Sequence, residues 1–238
     1  MDINKDKIKH HYHAVRLYEL IVEKLTQLGL DLKSIQRSDL APVDEFHVRG
    51  AAVSRELGNS LSLTGKSVLD VGCGLGGPCR MLADEFNCHA TGIDLSEEYV
   101  RTASELSKLV KLENKTSFAQ GDATNLPFEN ESFDVVWTQH VQMNIAEKQQ
   151  FYAEIKRVLK KGGHFLYYDI FKSSNASINY PMPWASDESL SFLFESEQMN
   201  EILDALGFIH QKTTNQTQLG LAFIEELIKK MKTNGPPK

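Results

Sequence analysis

Short apolar runs alternate along this chain with longer stretches in which apolar residues return at helical spacing. The runs fall at Ser67 to Val71, His89 to Asp94, Thr116 to Gln120, Asp134 to Thr138 and Gly163 to Phe171. Such strands, separated by amphipathic helices, predict an α/β architecture in which helices cover both faces of a parallel sheet. The helices between them are Gly76 to Phe86, with Pro78 tolerated in its opening turn, one capped by Ser96 with Glu97 and Glu98 near its positive end, and Glu147 to Leu159. Ahead of the first strand, residues 5 to 30 read as one or two amphipathic helices ending at Gly29, 31 to 46 as a loop with short helical turns, and His47 to Leu57 as a helix. After the fifth, Ser196 caps a helix to Leu206, Phe208 to Thr214 is strand-like, and Leu219 to Lys232 is helical. The pattern divides the chain into an N-terminal helical cap over residues 1–60, a core over 61–216 and a C-terminal helix over 217–238.

The first apolar run breaks into glycines: Val68-Leu69-Asp70-Val71-Gly72-Cys73-Gly74-Leu75-Gly76-Gly77. Glycine lets a backbone turn sharply and approach a ligand closely. Gly72, Gly74 and Gly77 satisfy the dinucleotide pattern G-x-G-x-x-G, while Gly72, Gly74 and Gly76 satisfy G-x-G-x-G. Asp70 separates the two. A dinucleotide brings a pyrophosphate to such a turn, and a carboxylate just ahead of the first glycine repels it. S-adenosylmethionine has no phosphate and carries a sulfonium and an ammonium, so the acid favours a methyl-donor site. Asp94 ends the second strand about 20 residues after the glycines, where a carboxylate accepts ribose hydroxyls, as it also does in NAD sites. Asp122, at the end of Phe118-Ala119-Gln120-Gly121-Asp122-Ala123, suits the exocyclic amine of adenine, with the Ala123 N–H facing a ring nitrogen. Taken singly, Asp94 or Asp122 reads equally well as a helix cap. In order, and spaced by strand–helix units, the three acids span a nucleoside from ribose to base. Cys73, Gly76, Leu95 and Gln139 are candidate donor-site residues beside them.

The chain has 238 residues, 41% of them hydrophobic, enough for one well-buried domain and an accessory segment. A net charge of −6 with no basic block argues against a nucleic-acid partner and for small molecules. No apolar run approaches the roughly 20 residues that span a bilayer, and the charged start is no signal peptide, so no membrane partner and a cytoplasmic location are expected. Cys73, Cys79 and Cys88 are odd in number and lie around the glycine loop, which suits reduced packing thiols better than a disulfide framework or a metal site.

VLDVGCGLGG, GIDLS, GDATNLPFENESFDVVW and RVLKKGG together resemble the class I S-adenosylmethionine-dependent methyltransferases over residues of about 60 to 215. More narrowly, LAPVDEFHVRG, WTQHVQMNI and YPMPWA look like the bacterial branch near sarcosine and dimethylglycine N-methyltransferases. The resemblance implies a Rossmann-like sheet of strand order 3-2-1-4-5 and then 6. It also implies donor contacts from Asp70, Gly72, Gly74, Asp94, Asp122 and Ala123. In that branch Asn-Gly-Pro-Pro is followed by a further helix and a seventh, antiparallel strand; here the expectation is six strands and an exposed sheet edge through which copies could associate.

Methyl transfer from a sulfonium is an in-line displacement, so the protein mainly positions the acceptor, excludes water and frees a lone pair. The segment Trp137-Thr138-Gln139-His140-Val141 follows the fourth strand at the carboxyl end of the sheet, where open α/β folds bind ligands. His140 is the candidate base or acceptor-orienting group, on the ground that an ordinary histidine titrates near working pH; the alternative is a contact stabilising this loop. In Asp44-Glu45-Phe46-His47-Val48-Arg49-Gly50, His47 and Arg49 are candidate acceptor contacts, Arg49 pairing with a carboxylate or, equally, with a surface acid. Tyr180 and Trp184 offer an aromatic wall for a methylammonium, or ordinary packing. His10, His11 and His13 read as a solvated helix end rather than a metal cluster. The favoured reading is a small-molecule methyltransferase acting on an N-methyl amino acid. A C-methyltransferase of a quinone or other lipid-like aromatic, and a non-catalytic donor-binding protein, are the alternatives.

Overall fold

Val68, Leu69, Val71, Val135, Val136 and Trp137 are each at most 1% exposed, and they form the two central strands of a parallel sheet. The strands are β1 (Ser67–Val71), β2 (His89–Asp94), β3 (Thr116–Gln120), β4 (Phe133–Gln139) and β5 (Leu159–Tyr168), ordered β3-β2-β1-β4-β5. The computed structural model describes residues 16–45, 47–173 and 177–234. Its longer helices are α1 (Leu17–Gln27), α2 (Ala51–Gly58), α3 (Gly77–Glu85), α4 (Glu97–Leu109), α5 (Lys148–Val158), α6 (Ser196–Ala205) and α7 (Thr217–Asn234). Burial on both faces favours β-branched and aromatic residues at the centre of such a sheet. The register pairs Asp70 with Gly92 on one side and with Trp137 on the other. The chain leaves β1 toward β2 and returns to β4 on the opposite side, so a crevice opens between their carboxyl ends.

Local signals agree with the helix starts. The Ser96 side chain accepts the Tyr99 N–H at 3.3 Å, capping α4. A second apolar layer joins the N-terminal segment to this frame: Ile21 and Leu25 of α1 pack with Ile35, Leu40, Leu106 of α4 and Leu75 of the glycine loop. The seam is locked by Arg80, fully buried in α3. Its guanidinium donates to Asp44 Oδ1 at 2.5 Å, to the Leu75 carbonyl at 2.7 Å and to the Ala103 carbonyl at 3.2 Å. A Cβ on Gly77 would lie 1.9 Å from the Asp44 carbonyl oxygen, so only glycine admits this approach of cap to helix.

One expected strand is not formed. Phe208 to Thr214 runs irregularly after Gly207, with Ile209 82% exposed and a side-chain contact from Tyr167 Oη to Thr213 Oγ1 at 3.3 Å. Apolar residues make a strand only where a neighbouring ladder takes up their backbone groups, and no ladder bond joins this segment to β5. The described residues therefore form five strands rather than six, and 217–234 are helical. No helix among the described residues is long and apolar enough to cross a membrane. They hold no group of three or more His, Cys, Asp or Glu able to bind a metal. His10, His11 and His13 lie outside the described residues.

Candidate functional site

The loop after β1 is built from three glycines in the left-handed region, Gly72, Gly74 and Gly76, with φ of 75°, 53° and 77°. A Cβ on Gly72 would lie 2.5 Å from Val141, and one on Gly76 2.6 Å from the Phe118 ring, so these two admit close packing. A Cβ on Gly74 would meet nothing within 4 Å, which makes this turn the open face of the loop. Cys73 is buried and fills the space over Gly92, its Sγ 2.7 Å from where a Cβ would sit.

Three carboxylates lie at the carboxyl ends of β1, β2 and β3. Asp70 is 2% exposed, and its carboxylate receives one hydrogen bond among the described residues, from Cys79 Sγ at 3.5 Å. Burial pushes its pKa up to about 8, and the charges of Glu45 and Asp94 act in the same direction. So thinly satisfied a buried acid is costly until a cation arrives. A cation beside this acid favours its ionised form and a pyrophosphate does not, so the donor set fits a sulfonium or an ammonium. Asp94 accepts the Gly74 N–H at 3.0 Å and the Ser96 N–H at 2.9 Å, which ties the end of β2 to the glycine loop. Burial raises its pKa against those two bonds. Asp122 Oδ1 accepts both the N–H and the hydroxyl of Thr124 at 2.8 Å, closing a turn at the end of β3 with Ala123 partly buried inside it. Leu95 is half-buried, and its carbonyl accepts from Gln120 at 3.2 Å.

The acceptor side is a buried polar cluster. The Trp137 indole N–H donates to Gln139 Oε1 at 2.9 Å, which orients the amide so that Gln139 Nε2 donates to Ser54 Oγ at 3.1 Å. Gln139 Nε2 also lies 3.1 Å from His47 Nε2. His47 Nε2 is 3.0 Å from the Gly50 carbonyl and 3.2 Å from Glu45 Oε2, and Ser54 Oγ donates to the same Glu45 oxygen at 3.1 Å. His47 stands edge-on to His140 at 5.9 Å, and His140 stacks on Tyr168 at 5.2 Å. His140 holds φ 54°, and its N–H donates to the Tyr168 carbonyl at 2.9 Å. A left-handed non-glycine residue stores of order 1 kcal/mol of strain and tends to mark a site that needs it. Burial lowers His47 to about 4 and His140 to about 3. Both rings are therefore neutral at working pH, which corrects the expectation that His140 titrates there. The loop bearing His140 is anchored by Asp169, which accepts the Val141 N–H at 3.0 Å.

Glu45, Ser54, Tyr168 and Asp169 did not stand out in the sequence. Only Glu45 had a local signal, its place between Asp44 and His47. The structure brings Gln139, His47 and His140 together and places Arg49 close enough to Tyr168 to feel its charge, but it does not bring in Tyr180 and Trp184. Arg49, at φ 70°, forks onto Glu56, with one arm at 3.0 Å, and also reaches Gln216 at 3.1 Å. Trp184 is 7% exposed, packs with Met143, Ala185 and Leu190, and donates to Ser191 Oγ at 3.2 Å. Tyr180 packs against the same cluster. Among the described residues no hydrogen bond or ring contact joins either aromatic to His47 or His140, and this favours packing over an aromatic wall.

Residues 69–167 match the family described as "Methyltransferase domain". Over these residues, under half of its length, the chain is similar to a methyltransferase domain. In this match the chain contributes the last three residues of β1, all of β2, β3 and β4, and most of β5. It is 39% identical over 105 residues to a sterol 24-C-methyltransferase of Gibberella zeae, covering 44% of this chain and 28% of that enzyme. It is 31% identical over 187 residues to a phthiotriol/phenolphthiotriol dimycocerosates methyltransferase of Mycobacterium leprae, covering 78% of this chain and 64% of that one. The chain thus spans under a third of the sterol enzyme and under two thirds of the mycobacterial one. Among solved structures, a putative sarcosine dimethylglycine methyltransferase from Galdieria sulphuraria shares the fold. It has a TM-score of 0.64 and 17% identity, with 79% of this chain and 74% of that chain covered.

Proposed function

We propose that this chain transfers the methyl group of S-adenosylmethionine to a small molecule held between the glycine-loop crevice and the His47–His140–Tyr168 cluster. The observation that carries the reading is Asp70: a fully buried carboxylate with one weak donor, beside a glycine turn that faces open space. When bound, the donor supplies a methyl carbon made electrophilic by its positive sulfur. The chain's own residues do the rest. Asp70 faces positive charge, Asp94 offers carboxylate oxygens to ribose hydroxyls, and Asp122 with the Ala123 N–H reads the adenine edge. Neutral His47 and His140 accept a proton from the acceptor or orient its lone pair, and the aromatic surround excludes water.

The acceptor we favour is the nitrogen of an N-methyl amino acid such as sarcosine or dimethylglycine. The motifs of the loop before α2 and of the segment after β4 support it, as does the likeness in fold to the Galdieria protein. Arg49 serves an acceptor carboxylate in this reading only by exchanging Glu56 for it. A second reading, C-methylation of a sterol-like or quinone-like lipid, is favoured by the identity to the sterol enzyme. The test is product formation: purified chain with S-adenosylmethionine and either sarcosine, dimethylglycine or a hydroquinone panel, with S-adenosylhomocysteine followed by mass spectrometry. Turnover with the amino acids alone supports the first reading, and turnover with the hydroquinones alone supports the second. Donor binding without turnover on any of them removes catalysis from the account.

A further inference from the structure

The buried cluster holds one ionisable group that the donor and acceptor assignments leave unused. Glu45 is sealed between the cap and the sheet, with 7% of its side chain exposed, as against 6% for His47. Among the described residues no arginine or lysine is bonded to it. Arg37 pairs with Asp84, Arg55 with Glu85, and Arg80 with Asp44, so every nearby guanidinium is already engaged. Its partners are the Ser54 hydroxyl and His47 Nε2. That ring nitrogen is satisfied in either protonation state. Bearing a proton, it has two oxygen acceptors in reach, the Gly50 carbonyl at 3.0 Å and Glu45 Oε2 at 3.2 Å. Without one, it has the Gln139 amide at 3.1 Å and the Ser54 hydroxyl at 3.1 Å to donate to it. His47 Nδ1 has no hydrogen-bond partner among the described residues. A histidine with one bare nitrogen, and with the other able to gain or lose a proton without loss of a hydrogen bond, is arranged to pass a proton through its ring.

We propose that Glu45 is the positioning residue behind His47, the terminal proton acceptor of a relay from the acceptor pocket, and this rests on the reading that His47 faces the acceptor. The acceptor's proton goes to His47 Nδ1, and the Nε2 proton passes to Glu45 Oε2, leaving the ring neutral with its proton moved across. The acceptor's lone pair forms the new bond to the methyl carbon, and the bond from that carbon to sulfur breaks with its electron pair left on sulfur. One positive charge on sulfur and one negative charge on Glu45 disappear together. The relay thus balances in charge and ends with no buried ion from either partner. The groups facing Glu45 are consistent with this. Burial, helped by Asp44 and opposed by Ser54, Arg37 and Arg55, lifts its pKa to about 7, and Asp70 lies close enough to feel its charge. A carboxyl near that value takes up and returns a proton readily at working pH.

The test follows the His47 ring by nitrogen NMR on the full chain, labelled at histidine and saturated with S-adenosylhomocysteine, with His47→Asn used to assign its signals. His47 stays neutral as Glu45 titrates near pH 7, and an ionised Glu45 holds the ring proton on Nε2, so the wild-type ring nitrogens should show a tautomer step with its midpoint near pH 7. Glu45→Gln should abolish that step, and Glu45→Asp should keep it at a shifted midpoint. The same step in wild type and Glu45→Gln, or no step in wild type, would overturn the relay. If Glu45→Gln fails to fold, Glu45→Asp decides, since moving the carboxylate back by one methylene must shift the midpoint. If the midpoint responds but His47→Asn leaves turnover intact, the acceptor reading fails and the coupled pair stands. If turnover is lost but the midpoint is indifferent to Glu45, this inference alone fails.

Discussion

Replacing Asp44 with alanine should be the most destructive single change in the cap, and its size follows from the geometry. Arg80 is fully buried, and the Asp44 side chain is 4% exposed, so neither charge is solvated. Removing the carboxylate leaves the guanidinium its two carbonyl partners, Leu75 and Ala103, but no counter-charge. Breaking one half of a buried pair costs about 3–5 kcal/mol, against about 0–1 kcal/mol for an exposed one. For a chain of this length each kcal/mol shifts Tm by about 2–4 °C, so a drop of about 6–20 °C is expected in a thermal melt followed by circular dichroism. The double change Asp44→Leu with Arg80→Met should restore most of it, because two apolar side chains of similar volume leave no buried charge. Donor affinity should fall in Asp44→Ala as well, since this residue seats the cap against Gly77 and precedes Glu45. A loss of less than about 1 kcal/mol would mean that the pair behaves as an exposed one, and that the cap is held by its apolar layer alone.

Other expectations concern charge. Asp70 is protonated in the ligand-free protein up to about pH 8, because burial raises its folded pKa above the unfolded value. The folded state therefore binds the extra proton, and stability without donor should decline as pH rises from about 4 toward 8. A bound cation favours the ionised acid. The ratio of S-adenosylmethionine to S-adenosylhomocysteine affinity should accordingly rise with pH up to about 8 and then level off. A flat ratio in calorimetric titrations would remove Asp70 from the donor's charge. Arg49→Met should raise KM for a carboxylate-bearing acceptor while sparing the donor, and Glu56→Gln should lower that KM by freeing Arg49. Steady-state rates with dimethylglycine check both, and no response to Glu56→Gln would confine Arg49 to the ion pair it makes here.

What could be read in the sequence was local. Asp70, the glycines, Asp94 and Asp122 sit at strand ends that the apolar pattern marks, and Ser96 announces its cap within one helical turn. What escaped was set by partners distant in the chain. Arg80 and Asp44 are 36 residues apart, and Gln139 and Ser54 are 85 apart. No periodicity links such pairs. Phe208 to Thr214 failed for the complementary reason: its residues suit a strand, but a strand exists only with a ladder beside it. The pKa of His140 was misjudged because burial against His47 and Tyr168 is a property of the assembled cluster, not of the residue.

The central claim is that the crevice at the carboxyl ends of β1, β2 and β3 is a methyl-donor site rather than a dinucleotide site. It is tested most directly by calorimetric titration of the full chain with S-adenosylmethionine and with NAD, in wild type and in Asp94→Ala. The account predicts stoichiometric S-adenosylmethionine binding and no heat from NAD. It also predicts that Asp94→Ala weakens the donor by about 1.5–3 kcal/mol, the worth of a charged hydrogen bond, or roughly 10- to 150-fold. NAD binding, or a donor affinity indifferent to Asp94, would contradict it.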